Sequence, residues 1–486
     1  GLTEPTKIQA TWNNNPPAPI DNLSDQNDYY DTMIALKKVN ASDVKQVVRK
    51  NSWNSGTTYD YYRPDYSINN PPKNGQGTTL YNATYYVINS DFRVYICLEN
   101  GTSPENPEGK PSLDEPTFTD LEPKSAGSSG DGYIWKYLYT VKPSELVKFD
   151  STEYMPVPSD WSTGADNSAV RDNAVDGGIK VVVIQNRGVG LGTANRTYTR
   201  VPIKGDGSGA ECTVTVNADQ QIGSVDVTNQ GSGYTFGTVD IVAGGLPRPD
   251  SYPQLDVIIP PQGGHGKDIY KELGASNALV YSRIENDPEN PDFITGNEIS
   301  RFGIIENPQA FGSSSLLSLD KASAAYALRL VGTGYSSATF TADSIIKQTT
   351  GTGVTAIGKV LGYDQTTGVL KYWQDRTMAG FTTVGVGTTS PIHGFNLDRF
   401  TADISDGGNF SIVPDDGSNT LAIHTSFSGL STSINNKTYY LGQTFTNGVS
   451  NPEVKKYSGN IIYVDHRPAI TRSSNQKEDI KVILQF

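Results

Sequence analysis

The sequence predicts a mainly β, multidomain chain with minor α content, on three observations. Its 486 residues exceed what one hydrophobic core organises, so two to four domains are expected. Glycine (49), proline (28) and tyrosine (27) are abundant while hydrophobic residues make up only 36%. Turn formers mixed with β-branched and aromatic residues favour many short strands. Long runs of helical periodicity are scarce.

Taken in order, residues 1–30 are rich in Pro and Asn and read as an extended surface segment. Gly1–Pro5 looks like a start partway into a domain. Met33–Val39 reads as a strand, and Ser42-Asp43 as the cap of a short helix through Val48. After a loop carrying Trp53, Tyr59, Tyr61 and Tyr62 come two strands, Thr84–Asn89 and Phe92–Leu98. Residues 100–130 form a long Pro/Gly/Ser loop that must contact something. Lys142–Val147 holds one helical turn with Pro143 near its start. The shift to Ser, Gly, Asp and Asn at Trp161–Gly178 marks a boundary. Beyond it the texture is β: Lys180–Gln185, Tyr198–Ile203, Cys212–Val216, Ser224–Thr228, Thr238–Val242 and Leu255–Ile259. Pro260–Gly264 closes this block. A short helix over His265–Leu273 ends at Gly274. Leu279–Glu285 and Ser300–Glu306 are strands. A second β block runs from about Ala325 to Val454, and Glu478–Phe486 is a final strand. Gly231-Ser232-Gly233-Tyr234 and Gly332-Thr333-Gly334-Tyr335 echo each other, which suggests a shared hairpin unit in the two blocks.

One stretch stands out. Gly130-Asp131-Gly132 is a turn, and after it Tyr133, Trp135, Tyr137 and Tyr139 recur at every second position. Period two is the signature of a strand. Four aromatics on one face must lie against something, either a core or a sugar; Trp53 and Tyr59–Tyr62 are open to core and interface readings alike.

The chemistry-bearing patterns are sparse. A net charge of −13 disfavours a nucleic-acid partner. No apolar run is long enough to span a bilayer, so no membrane insertion is expected. Cys97 and Cys212 define neither a disulfide framework nor a zinc spacing. Gly205-x-Gly207-x-x-Ala210 and Gly351-x-Gly353-x-x-Ala356 fit a relaxed dinucleotide fingerprint. After the first copy comes the strand Cys212–Val216 instead of the helix that a pyrophosphate needs. No P-loop follows Lys110, Lys267 or Lys359, and there is no Gly-x-Ser-x-Gly elbow. His265, His393, His424 and His466 are isolated, and the Asp/Gly/Asn turns at 405–409 and 415–419 lack the spacing of an EF-hand. No carboxylate pair is singled out for glycoside hydrolysis. The sequence therefore assigns no catalytic residue, cofactor or metal.

Gly130–Leu138 resembles the Gly-Asp-Gly-Tyr-x-Trp-x-Tyr-Leu signature of a baseplate wedge subunit, the gene product eight family of T-even-type contractile-tailed bacteriophages. Four more segments are similar to that family in the same order. They are Gly1–Pro5; Tyr81–Thr84 with Val94–Leu98; Glu153-Tyr154 with Val157-Pro158; and Tyr457–Gly459 with Ile462-Tyr463 and Arg467-Pro468. The likeness covers residues 1–160 and 455–486, reaches 265–312 loosely, and omits 165–262 and 326–454.

The resemblance implies a structural virion protein without enzymatic activity. It would be assembled in the host cytoplasm, homodimeric within each wedge, and joined to the family's gene products six, seven and ten. It implies a discontinuous α/β sandwich-type scaffold (1–164, 263–325, 455–486) carrying inserted antiparallel β-sandwich or barrel domains at 165–262 and 326–454. Gly130, Asp131, Gly132, Tyr133, Trp135, Tyr137, Tyr463, Arg467 and Pro468 are then motif residues of the scaffold, with the aromatic strand and Ile462–Phe486 in one shared sheet. The rival expectations are a carbohydrate- or receptor-binding tail protein, built on the two β blocks, and a polysaccharide-cleaving tailspike.

Overall fold

The structure, a computed structural model, describes residues 26, 29–164, 166–285, 298–351, 354–374, 411–412, 414, 417, 420–473 and 476–486. It is mainly β, with antiparallel sheets and short α-helices that include Pro143–Phe149, Ser168–Asp172 and Ile269–Leu273. The chain forms two compact units, each discontinuous in sequence. One comprises Gly1–Asn40 and Ser282–Ile480, the other Ala41–Tyr281 and Lys481–Phe486.

In the second of these units, Tyr86–Ile88, Arg93–Asn100 and Tyr133–Thr140 form a three-stranded antiparallel sheet in that order. Its core is aromatic: Tyr59, Tyr61, Tyr62, Tyr85, Tyr95, Tyr133, Trp135, Tyr139 and Trp161 are buried together. Tyr59, Tyr61 and Tyr62 are thus core residues, which removes them as an interface patch. The aromatic strand departs from simple alternation. Val94 pairs with Tyr139 and Tyr95 with Tyr137, so Leu138 is an extra residue, a bulge that breaks the parity of the faces. Tyr133 and Trp135 stack, Tyr137 is half-buried against Tyr95, and Tyr139 meets Trp161. Lys136, expected on the other face, is buried as well. Its Nζ donates to the Leu121 carbonyl at 2.8 Å, and burial pulls its ammonium below the usual lysine range.

Val44–Arg49 is a strand where a helix was expected; only Ala41–Asp43 forms a single 3-10 turn. Pairing on both sides, with Asn277–Val280 and with Tyr154–Pro156, satisfies its backbone and overrides local propensity. Val47, Phe149, Leu279 and Tyr281 close a small core beneath it. Pro143 opens its helix as expected, and Gly274 (φ 68°) caps Ile269–Leu273 in the left-handed conformation.

A meander in the order 222–232, 208–216, 197–205, 237–239 adds a second core of Ile179, Val182, Val201, Val214 and Ile222 among others. The segment 181–184 serves both cores through its period of two. Val181 and Val183 face the aromatic cluster, while Val182 and Ile184 face the meander.

In the first unit, a nine-stranded sheet is built around Tyr326–Val331. Tyr326, Leu328 and Leu330 point into one cluster and Ala327 into another, so this strand is buried on both faces. Ala35–Lys37 pairs with Lys321–Ser323, and Glu298–Glu306 pairs with Asn460–Thr471 as a separate two-stranded ribbon. The stretch Ile462–Phe486 therefore does not share a sheet with the aromatic strand. Neither Asn460–Thr471 nor Lys477–Gln485 pairs with Tyr133–Thr140, whose ladder partner is Arg93–Asn100.

Trp135→Ala should cost about 3–5 kcal/mol, because it empties a fully buried site. Urea unfolding followed by circular dichroism checks this; a loss below about 1 kcal/mol would contradict the packing described.

Candidate interface surfaces

The Gly130–Tyr137 motif is a fastening inside its own unit. Gly130 and Gly132 have φ of 71° and 87°, a region that glycine enters without strain. A Cβ on Gly132 would fall 2.8 Å from the Gly101 Cα, so this turn and the start of the 100–130 loop meet backbone to backbone. Asp131 Oδ1 accepts from the Tyr133 amide (3.0 Å) and Oδ2 from the Leu113 amide (2.9 Å). Tyr133 Oη donates to the Lys110 carbonyl (2.7 Å) and accepts from the Tyr59 amide (2.9 Å). Farther on, Lys124 and Trp135 exchange two backbone hydrogen bonds of 3.0 Å, and Tyr95 Oη donates to the Phe118 carbonyl. What the long loop contacts is the sheet of its own chain. With Tyr133, Trp135 and Tyr139 fully buried, this strand offers no sugar-stacking face.

Tyr463, Arg467 and Pro468 lie in the other unit, on the Asn460–Thr471 strand of the ribbon. Arg467 places its guanidinium 4.0 Å from the centre of the Phe302 ring and pairs with Glu478. Arg472 stands 3.8 Å from the same carboxylate. Residues 467–469 bulge, since Ile299 opposes Ile470 while Arg301 opposes His466. Pro468 has no N–H to give to a ladder and is exposed here, a placement suited to a bulge. Ile462 is 56% exposed and Ile470 41%. Ile299 and Phe302 of this ribbon pack with Ile34, Ala325, Leu361 and Trp373, while Ile462 and Ile470 carry apolar side chains into solvent.

Polar networks tie the meander to the aromatic core. Arg187 grips Glu105 with two bonds of 2.7 and 2.8 Å, and bonds from Arg187 and Ser103 hold that carboxyl at about 2. Lys180 pairs with Glu122 and Arg63 with Asp256. Glu99 behaves in the opposite way: burial, with Asp226 as a second cause, pushes its carboxyl up to about 7. His265 Nδ1 lies 2.6 Å from Glu272 Oε1, whose other oxygen accepts from the Gly266 amide. Both side chains are buried under Tyr62, so this dyad is sealed from any substrate. His424 lies beside Ser426 and Phe427, His466 beside Tyr29; His393 and the turn at 405–409 lie outside the described residues, as does most of 415–419.

The nucleotide-like glycines form a hairpin between 197–205 and 208–216. Tyr234 lies on it, with its ring 2.4 Å from where a Gly207 Cβ would be. Its hydroxyl donates to the Ile203 carbonyl and accepts from the Ala210 amide. No phosphate has room at that backbone. In the echoing segment Tyr335 instead lies near Arg329, so the two copies serve different packing.

A cavity of about 390 Å³ opens in the first unit beside the end of Lys437–Thr446, lined in part by Phe311, Leu319 and Asn451. Among the described residues no three His, Cys, Asp or Glu side chains are grouped to hold a metal, and no helix is long and apolar enough to cross a membrane. Comparison with protein-family models, curated proteins and solved structures finds no match for this chain.

The sign of the Glu99 effect is fixed. Its folded-state value of about 7 lies above the ordinary glutamate value, so the folded form holds the proton more tightly. Its contribution to stability is full below about pH 4.5 and is lost as pH rises to about 7, by about 3 kcal/mol. Glu99→Gln should remove most of that slope. Urea midpoints at pH 5 and pH 8 for both proteins measure it, and parallel shifts in the two would refute it.

Proposed function

We propose that this chain is a structural subunit of a contractile-tail baseplate wedge: a homodimeric adaptor that joins neighbouring wedge subunits and accommodates their rearrangement during infection. The order of five motif segments along the chain carries the reading. The part their residues play gives it support. Asp131, Tyr133 and Trp135 fasten a long loop to a sheet, and Arg467 fixes a bulged ribbon. These are architectural tasks. On this reading the protein resides in the virion tail baseplate after assembly in the host cytoplasm, and it performs no catalysis.

The ribbon of Glu298–Glu306 and Asn460–Thr471 is the surface this role would use. Its exposed Ile462 and Ile470 supply apolar anchors, and a permanent assembly contact buries on the order of 2,000 Å² or more. Two compact units, each with its own cores, suit an adaptor that must keep its parts rigid while neighbours move.

Light scattering on the purified chain, alone and with candidate wedge subunits, tests the proposal. A dimer is expected, and Ile462→Lys combined with Ile470→Lys should weaken association at least tenfold, about 1.4 kcal/mol. A strict monomer that joins no wedge subunit would overturn it.

A further inference from the structure

We propose that the cavity at the end of Lys437–Thr446 is a binding site for a neutral hexose unit of a surface glycan. This goes beyond the adaptor role and does not depend on it.

The walls are prepared by the fold. Phe445 is buried, so period two turns its neighbours Thr444 and Thr446 outward together. Two positions apart on one side of the strand, their backbones are about 6.5–7 Å apart, a spacing that lets two side-chain hydroxyls serve two edges of a sugar ring. In the same lining, Phe311 is 45% exposed and Leu319 43%. The Phe311 backbone is fastened to the wall: its amide donates to the Glu453 carbonyl at 3.0 Å, and Ala310 bridges to Val454. Asn451 commits its backbone carbonyl to Gln443 Nε2 and lines the opening.

The chemistry selects the ligand class. A pyranose has an apolar C–H face and a polar rim. An exposed aromatic ring, with its negative face, takes the first; hydroxyls and an amide take the second. None of the lining residues is Lys, Arg or His, and Glu453 adds negative charge to the wall, so phosphate, sulfate and acidic sugars are disfavoured. The volume lies near the lower end for small-molecule sites and fits one or two sugar units. An apolar peptide side chain fits less well, since it would desolvate the two hydroxyls without pairing them.

The test uses the full chain. Methyl glycosides of glucose, galactose and mannose, and N-acetylglucosamine, are titrated separately and followed by saturation-transfer NMR. At least one should bind saturably, with a dissociation constant on the order of 1 mM. Phe311→Ala and Thr446→Val should each weaken that binding about fivefold or more while leaving the melting curve in place. Three outcomes overturn the site: no saturable binding of any probe up to about 50 mM, binding unchanged in both variants, or displacement of the sugar by an acetyl-Phe-Leu-amide peptide that binds more tightly than any of the four. Because none of these readouts involves self-association or wedge subunits, failure here leaves the adaptor reading standing.

Discussion

One carboxylate sets the geometry of the aromatic core. Asp131 takes an amide from Tyr133 with one oxygen and an amide from Leu113 with the other. The first bond fixes where the strand begins, and the second fastens the long loop to it. Tyr133 is then aligned to stack on Trp135, and its hydroxyl reaches Lys110 and Tyr59. A loop that would otherwise cost considerable conformational entropy to order is held at several points along its length. Gly132 matters for the same reason, since only a residue without Cβ lets the turn approach Gly101 so closely.

The second organising device is sharing. In each unit a segment buried on both faces serves two hydrophobic clusters at once: 181–184 in one, Tyr326–Val331 in the other. Such a segment loses if either cluster is disturbed, so neighbouring cores are coupled through its packing. The electrostatics follow this arrangement. Ion pairs such as Arg187–Glu105 ring the junction between the aromatic core and the meander, while Glu99 meets Asp226 across it.

Much of the β character was legible in the sequence. Alternation marked Tyr133–Thr140, the run Cys212–Val216 marked the later part of Ser208–Val216, and Pro143 and Gly274 marked the ends of helices. These signals are local, so a reading of neighbours finds them. What escaped depends on partners distant in the chain. The bulge at Leu138 shows only against Arg93–Asn100, and the strand at Val44–Arg49 only against its two neighbours. Lys136 looks solvated until Leu121 folds over it. Arg187 and Glu105 are 82 positions apart with nothing local to pair them. The cavity beside Thr446 combines side chains from separate segments, none of them distinctive alone.

The discontinuity of the units bears on how the chain is made. Residues 481–486 belong with Ala41–Tyr281, where Ile483 packs against the cluster of Val47, Leu279 and Tyr281 and the Phe486 amide bonds the Ser276 carbonyl. About 200 residues of the other unit are synthesised between these partners. The loop-closure entropy of so long an excursion grows only slowly with length, so final stability suffers little. The delay is kinetic: on the ribosome, at roughly 5–20 residues per second, the sheet edge at Asn277–Tyr281 stays uncovered for tens of seconds. Completion of that sheet thereby waits for residues 477–485, and a chain interrupted before them would leave the Asn277–Tyr281 edge without its outer strand.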